Sequence, residues 1–111
     1  MGGALTVASA VHVPECSAGV CFYGIPPVEF ADPAKICVPF QAHFAQRDDW
    51  CTPAAGAALE AAMRAAGQVP EIHHYAADHA FFNERRADVY DANCANLAWE
   101  RTLAFLTRTL A

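Results

Sequence analysis

Apolar positions along the chain follow two kinds of pattern. Three short runs, 18–24 (AGVCFYG), 36–45 (ICVPFQAHFA) and 69–76 (VPEIHHYA), are largely apolar and meet glycine or proline near their ends. Runs of this length and density predict buried strands, and Pro39 marks a strand start or edge near it. Elsewhere apolar residues recur at helical spacing. Residues 2–12 predict a helix, although Gly2 and Gly3 make a poor helix start. Thr52 and Pro53 read as an N-cap and a first helical residue. The helix that follows, 53–67, puts Leu59 and Met63 on one face and has Gly67 placed to end it. The segment 92–110 predicts the last helix, with Ala95, Trp99, Leu103, Leu106 and Leu110 as its apolar stripe. Residues 25–35, with three prolines, and 77–91 read as loops.

The order is helix, strand, loop, strand, helix, strand, helix. Strands separated by helices imply parallel crossovers, hence an α/β sheet. Near-continuous apolar strands fit a sheet covered on both faces. The chain has 111 residues, which is one domain at most, and no internal repeat. With 55% hydrophobic and 17% charged residues it is a core-rich folded chain. The net charge of -5 argues against a nucleic-acid partner. The five cysteines, Cys16, Cys21, Cys37, Cys51 and Cys94, form no C-x-x-C pair. They read as buried free thiols of a reducing cytoplasm, without a zinc ribbon. The start has no basic region of a signal peptide, and no apolar run is long enough for a membrane span.

Ligand sites in open α/β sheets lie at the carboxyl ends of strands. Two strand ends here carry ionisable groups: Asp48 and Asp49 after the second, Asp78 and His79 after the third. If those strands are parallel neighbours, Asp48 and His79 emerge on one edge. The carboxylate then accepts an imidazole N–H and fixes the tautomer, which is two thirds of a nucleophilic triad. The plainer alternative is that two acids before Thr52-Pro53 favour a helix N-terminus. His73 and His74 are adjacent in a strand and face opposite sides, so they build no metal site. His12 and His43 have no evident partner.

The stretches HFAQRDDWCTP, HHYAADHAFFNERR and LAWERTLAFL, in this order, resemble the carboxyl-terminal half of the dienelactone hydrolase family. These are α/β-hydrolases that open lactones and related esters. The resemblance runs from Met1 to the last helix. It implies three parallel strands of an α/β-hydrolase fold, and a partial domain over 1–111 that begins just after the nucleophile elbow. The family's acid lies five residues after the strand histidine, which is Asp48 after His43, with Asp49 its neighbour. The family's histidine precedes a small residue and phenylalanine, which selects His79. The elbow, G-x-C-x-G-G, is matched only from Met1-Gly2-Gly3 onward. Met1 takes the position after the nucleophile, whose amide helps form the oxyanion hole. A fragment, or a start assigned too far downstream, is therefore expected.

Two features depart from the family. Relatives carry arginine four residues after the histidine, where this chain has Asn83, with Arg85 and Arg86 beyond. A different ester, or use of Arg85, is expected in place of a carboxylated dienelactone. Cys21 and Cys51 occupy no elbow and read as structural. Tyr23, Phe81, Phe82 and Trp50 flank the strand ends, and Phe81 and Trp50 are the preferred pocket walls. The implied reaction is acyl transfer from a small ester or lactone, with no metal or organic cofactor. For the chain by itself negligible activity is expected, with self-association or pairing with a separate amino-terminal half. The rival reading is a hydrolase fold kept as a non-enzymatic interaction module. An in-frame Gly-x-Cys or Gly-x-Ser ahead of Met1 would discriminate between them. A receiver-like α/β domain has the right size but lacks the early acidic cluster.

Overall fold

The computed structural model describes residues 1–110. Its elements are α1 (Gly2–His12), β1 (Gly19–Phe22), a 3-10 turn (Pro33–Lys35), β2 (Phe40–Arg47), α2 (Pro53–Ala65), β3 (Glu71–Asp78) and α3 (Ala92–Leu110). The three strands form one parallel sheet in the order β1-β2-β3. Gly19 pairs with Phe40 at one end of β1 and Phe22 with His43 at the other. Arg47 pairs with Asp78 beyond an irregularity in the β2–β3 ladder, so the residues after both strands leave the same edge. No described helix is long and apolar enough to cross a membrane.

The period of two along β2 divides its side chains between two clusters. Ala42 and Phe44 join Val7, Cys21, Leu59 and Met63 in the cluster under α1 and α2. Ala45 joins Tyr75, Ala77, Phe81 and Ala98 in the cluster under α3. The face toward α3 also carries Gln41 and His43, both fully buried. α2 begins where Thr52 Oγ1 accepts the amide of Ala55, 3.2 Å away, with Pro53 as first residue. It stops as Gly67 takes φ +87, a left-handed conformation that costs glycine little.

Several strand and helix ends and one face differ from the sequence pattern, and β3 begins at Glu71, two residues after the expected 69. β1 keeps only 19–22 of 18–24, because Tyr23 leaves the strand at positive φ. β2 starts at Phe40 and not at 36: Asp32 caps the 3-10 turn through the amide of Ala34, 3.0 Å away, and Pro39 adds no ladder donor. β2 and β3 then run on to Arg47 and Asp78. α2 ends at Ala65, two residues before the span assigned to it. The stripe assigned to α3 is rotated. The helix buries Ala95, Ala98, Thr102 and Phe105, and leaves Trp99 52%, Leu103 46% and Leu110 56% exposed. Small residues let the helix close on the sheet, and Thr102 then meets the polar patch around His43.

Candidate active site

Asp48 is the first residue beyond β2, and its loop is shaped by its own carboxylate. Oδ1 accepts the backbone amides of Trp50 and Cys51, each at 2.8 Å. Oδ2 lies 2.6 Å from Nδ1 of His79, the first residue beyond β3. The carboxylate side chain is fully buried and the imidazole 29% exposed. A buried charge is tolerable only when its lone pairs are taken up, and here two amides and one imidazole do so. Because a carboxylate only accepts, Nδ1 of His79 carries the proton, and Nε2 has no hydrogen-bond partner among the described residues. Arg47 Nε and Asp78 Oδ1, 2.8 Å apart, tie the two strand ends together beside the pair.

His79 sits in a tight turn. The amide of Phe81 donates to the carbonyl of Asp78 over 3.1 Å, and Ala80 takes φ 68. A left-handed residue with a Cβ costs about 1–3 kcal/mol, so surrounding contacts must enforce it. The imidazole is flanked by two rings, Tyr23 with centroids 4.9 Å apart and Trp50 at 5.4 Å. It also borders two clefts. One, of about 310 Å³, is shared with Asp48, Asp49, Trp50 and Arg86. The other, of about 420 Å³, is shared with Met1, Gly3, Phe22, Tyr23 and Phe82.

The structure gathers Asp48, Met1 and Trp50 around His79 and places Phe81 and Arg85 elsewhere. Asp48, and not the exposed Asp49, meets His79. Met1 lies at the head of α1 and lines the second cleft with His79. Trp50 is 86% exposed beside the imidazole. Phe81 is no pocket wall: it is fully buried, packed on Tyr75 at 5.0 Å and Tyr23 at 5.6 Å. The tight turn sends Phe81 inward and leaves its neighbour Phe82 lining the cleft. Arg85 lies in a separate cleft of about 680 Å³ toward α3, whereas Arg86 is the arginine of the loop that borders His79. Burial pushes the Cys21 thiol up to about 12, and burial followed by Asp48 pushes Cys51 up to about 11, so neither is a ready thiolate. Among the described residues no group of three or more His, Cys, Asp or Glu is arranged to hold a metal ion.

His43 does have partners, gathered from three elements. Gln41 directs its amide nitrogen to Glu71 and to the carbonyl of Arg101, which leaves Oε1 to accept from His43 Nε2–H at 2.8 Å. His43 Nδ1 then accepts from the Tyr75 hydroxyl at 2.7 Å. Thr102 stands 3.3 Å from Nε2. Burial, then the neighbouring His73 and Arg101, pushes His43 down to about 4. The i, i+2 spacing of Gln41 and His43 on one strand face was the only sequence sign of this network.

The model of the dienelactone hydrolase family matches residues 1–110. "Protein usf" of Aquifex pyrophilus is 32% identical over 98% of this chain and 48% of its own length. A protein of Aquifex aeolicus (strain VF5) named "Putative carboxymethylenebutenolidase" is 30% identical over 94% of this chain and 46% of its own. The chain therefore spans about half the length of the curated relatives it matches. A Klebsiella pneumoniae crystal structure named "Putative Dienelactone Hydrolase" superimposes with a TM-score of 0.81 and 26% identity, covering 95% of this chain and 48% of that one. Thermogutta terrifontis esterase 2, phosphorylated by paraoxon, shares the fold, with a TM-score of 0.69 and 21% identity over 91% of this chain and 48% of its own.

Proposed function

The chain belongs to the dienelactone hydrolase family, and we propose that it carries the acid–base half of a site that hydrolyses ester or lactone bonds. The supporting observation is the 2.6 Å contact of Asp48 with His79, which leaves Nε2 without a partner beside the head of α1. In this reading a thiol or hydroxyl placed just ahead of α1 gives its proton to Nε2 as it attacks the carbonyl carbon. The carbonyl π pair moves to oxygen, and the backbone amide of Met1 is one donor to that oxyanion. Collapse expels the alcohol oxygen, which takes the proton back from Nε2. Water then repeats the sequence on the acyl group, releasing the acid and restoring the nucleophile. Asp48 holds the tautomer and favours the imidazolium throughout. Trp50 and Phe82 are the apolar walls, and Arg86 takes the role expected of Arg85. The free edge of β1 is where the remaining strands of a full-length hydrolase sheet would pair.

The test is p-nitrophenyl acetate hydrolysis by a chain extended upstream through the elbow. Asp48→Asn is expected to lower kcat about ten-thousandfold, and His79→Ala by a comparable factor. Losses of only a few-fold would contradict the assignment. The rival reading is a hydrolase fold retained for binding. An in-frame Gly-x-Cys or Gly-x-Ser ahead of Met1 supports the enzyme, and a stop codon there supports the module.

A further inference from the structure

One hydrogen bond does not fix an imidazole. Asp48 holds Nδ1 of His79, but the ring remains free to tilt about that contact unless a wall stops it. Trp50 provides little restraint, since it is 86% exposed. Tyr23 is held from several sides. Its amide donates to the carbonyl of His43 over 2.9 Å. Its ring meets Phe22 edge-on at 5.8 Å and Phe81 edge-on at 5.6 Å. Its backbone takes φ 34, a conformation that side-chain-bearing residues rarely adopt. An unconstrained turn here would use glycine or asparagine. Among the described residues the only non-glycine positive-φ positions are Tyr23 and Ala80, and His79 directly precedes one and touches the other.

The reason this turn is fixed lies in α1. A Cβ on Gly3 would overlap the carbonyl oxygen of Phe22 and stand 2.6 Å from the nitrogen of Gly24. A Cβ on Gly24 would stand 2.8 Å from the nitrogen of Ala4. Helix and turn therefore touch backbone to backbone. The buried Cys21 thiol adds to the clasp, donating to the carbonyl of Gly24 over 3.0 Å and lying 3.5 Å from that of Gly3. Moving Tyr23 means moving the head of α1. The Tyr23 hydroxyl has no hydrogen-bond partner among the described residues, so the ring is the part of the side chain that acts.

We propose that Tyr23 is a positioning residue: its ring, clasped through Gly3 and Gly24 to the head of α1, sets the tilt of the His79 imidazole relative to that helix. The functional consequence rests on the hydrolase reading above, but the orientation itself does not. The test uses the 111-residue chain labelled at the histidine ring carbons, with the His79 signal assigned by its loss in His79→Gln. Tyr23→Phe should leave the His79 ring shifts as in the parent. Tyr23→Gly, which relieves the φ strain while deleting the ring, should shift the His79 signal and broaden it through exchange between tilts. Tyr23→Ala serves as a second ring deletion. His79 signals unchanged in the folded Gly variant would overturn the inference, as would a Phe variant that behaves like Gly. In the upstream-extended chain, misplacing the base should lower kcat about a hundredfold with the Phe variant restored to parent level. If His79→Ala leaves hydrolysis intact while Tyr23→Gly still moves the His79 signal, the hydrolase reading fails and the positioning claim stands.

Discussion

Two histidines of the same sheet are used in opposite ways. His43, inside β2, has both ring nitrogens taken by neighbours and no exposed surface. His79, just past β3, has one nitrogen taken by a buried carboxylate and the other open to two clefts. Each ring is well partnered, so hydrogen bonding alone does not distinguish the two. Access distinguishes them, together with a partner that holds charge. Tyr75 and Gln41 offer neutral dipoles in a closed core, where burial disfavours the imidazolium. Asp48 offers a negative charge at the mouth of the sheet, beside an imidazole whose second nitrogen is open.

The largest way to break the open end, apart from removing Asp48 or His79, is a single methyl group on Gly3. Gly3→Ala drives a Cβ into the backbone of Phe22 and Gly24, and neither can yield without moving the Tyr23 turn. A loss of more than about 3 kcal/mol is expected in chemical denaturation. Gly2→Ala, one residue away with nothing within 4 Å, should instead gain up to about 1 kcal/mol. Equal effects of the two substitutions would show that the clasp is not tight.

Acid breaks the closed end. His43 is held near 4 when folded and returns toward 6.5 when unfolded. As pH falls through that window the unfolded chain takes the proton first, so stability falls, by about 3 kcal/mol from this group. Denaturation midpoints measured from pH 7 to pH 4 should show the fall, and His43→Gln should flatten it. Glu71, kept at about 2 because hydrogen bonds from His73, Gln41 and Arg108 outweigh the opposing effect of burial, adds its loss only below 4.5.

A smaller change sharpens the contrast. Thr52→Ala removes the cap that starts α2 four residues after Asp48. A loss of about 1 kcal/mol is expected in the melting curve, with the His43 network untouched.

The acid–histidine pair was legible in the sequence because it needs only two facts: parallel neighbouring strands, and ionisable residues just past their ends. The helices were legible too, and α1 and α3 begin and end at the expected residues. Three features were not. The rotation of α3 depends on what lies beneath it, and the polar patch of Gln41, His43 and Tyr75 with Thr102 outweighs a stripe of Trp99, Leu103 and Leu110. That Phe82 and not Phe81 lines a cleft, and that Arg86 and not Arg85 borders His79, depends on the path of a loop with no periodicity. The partners of His43 come from positions up to 59 residues away, which no local pattern reports.

The most direct measurement of the difference between the two histidines is the tautomer of each ring, read from imidazole nitrogen shifts in the intact chain at a pH where both are neutral. His79 should carry its proton on Nδ1, donated to Asp48, and His43 on Nε2, donated to Gln41. In Asp48→Asn the His79 assignment should be lost while that of His43 persists. Protons on Nε2 in both rings would contradict the account, for then Asp48 would not be holding His79 with its second nitrogen free.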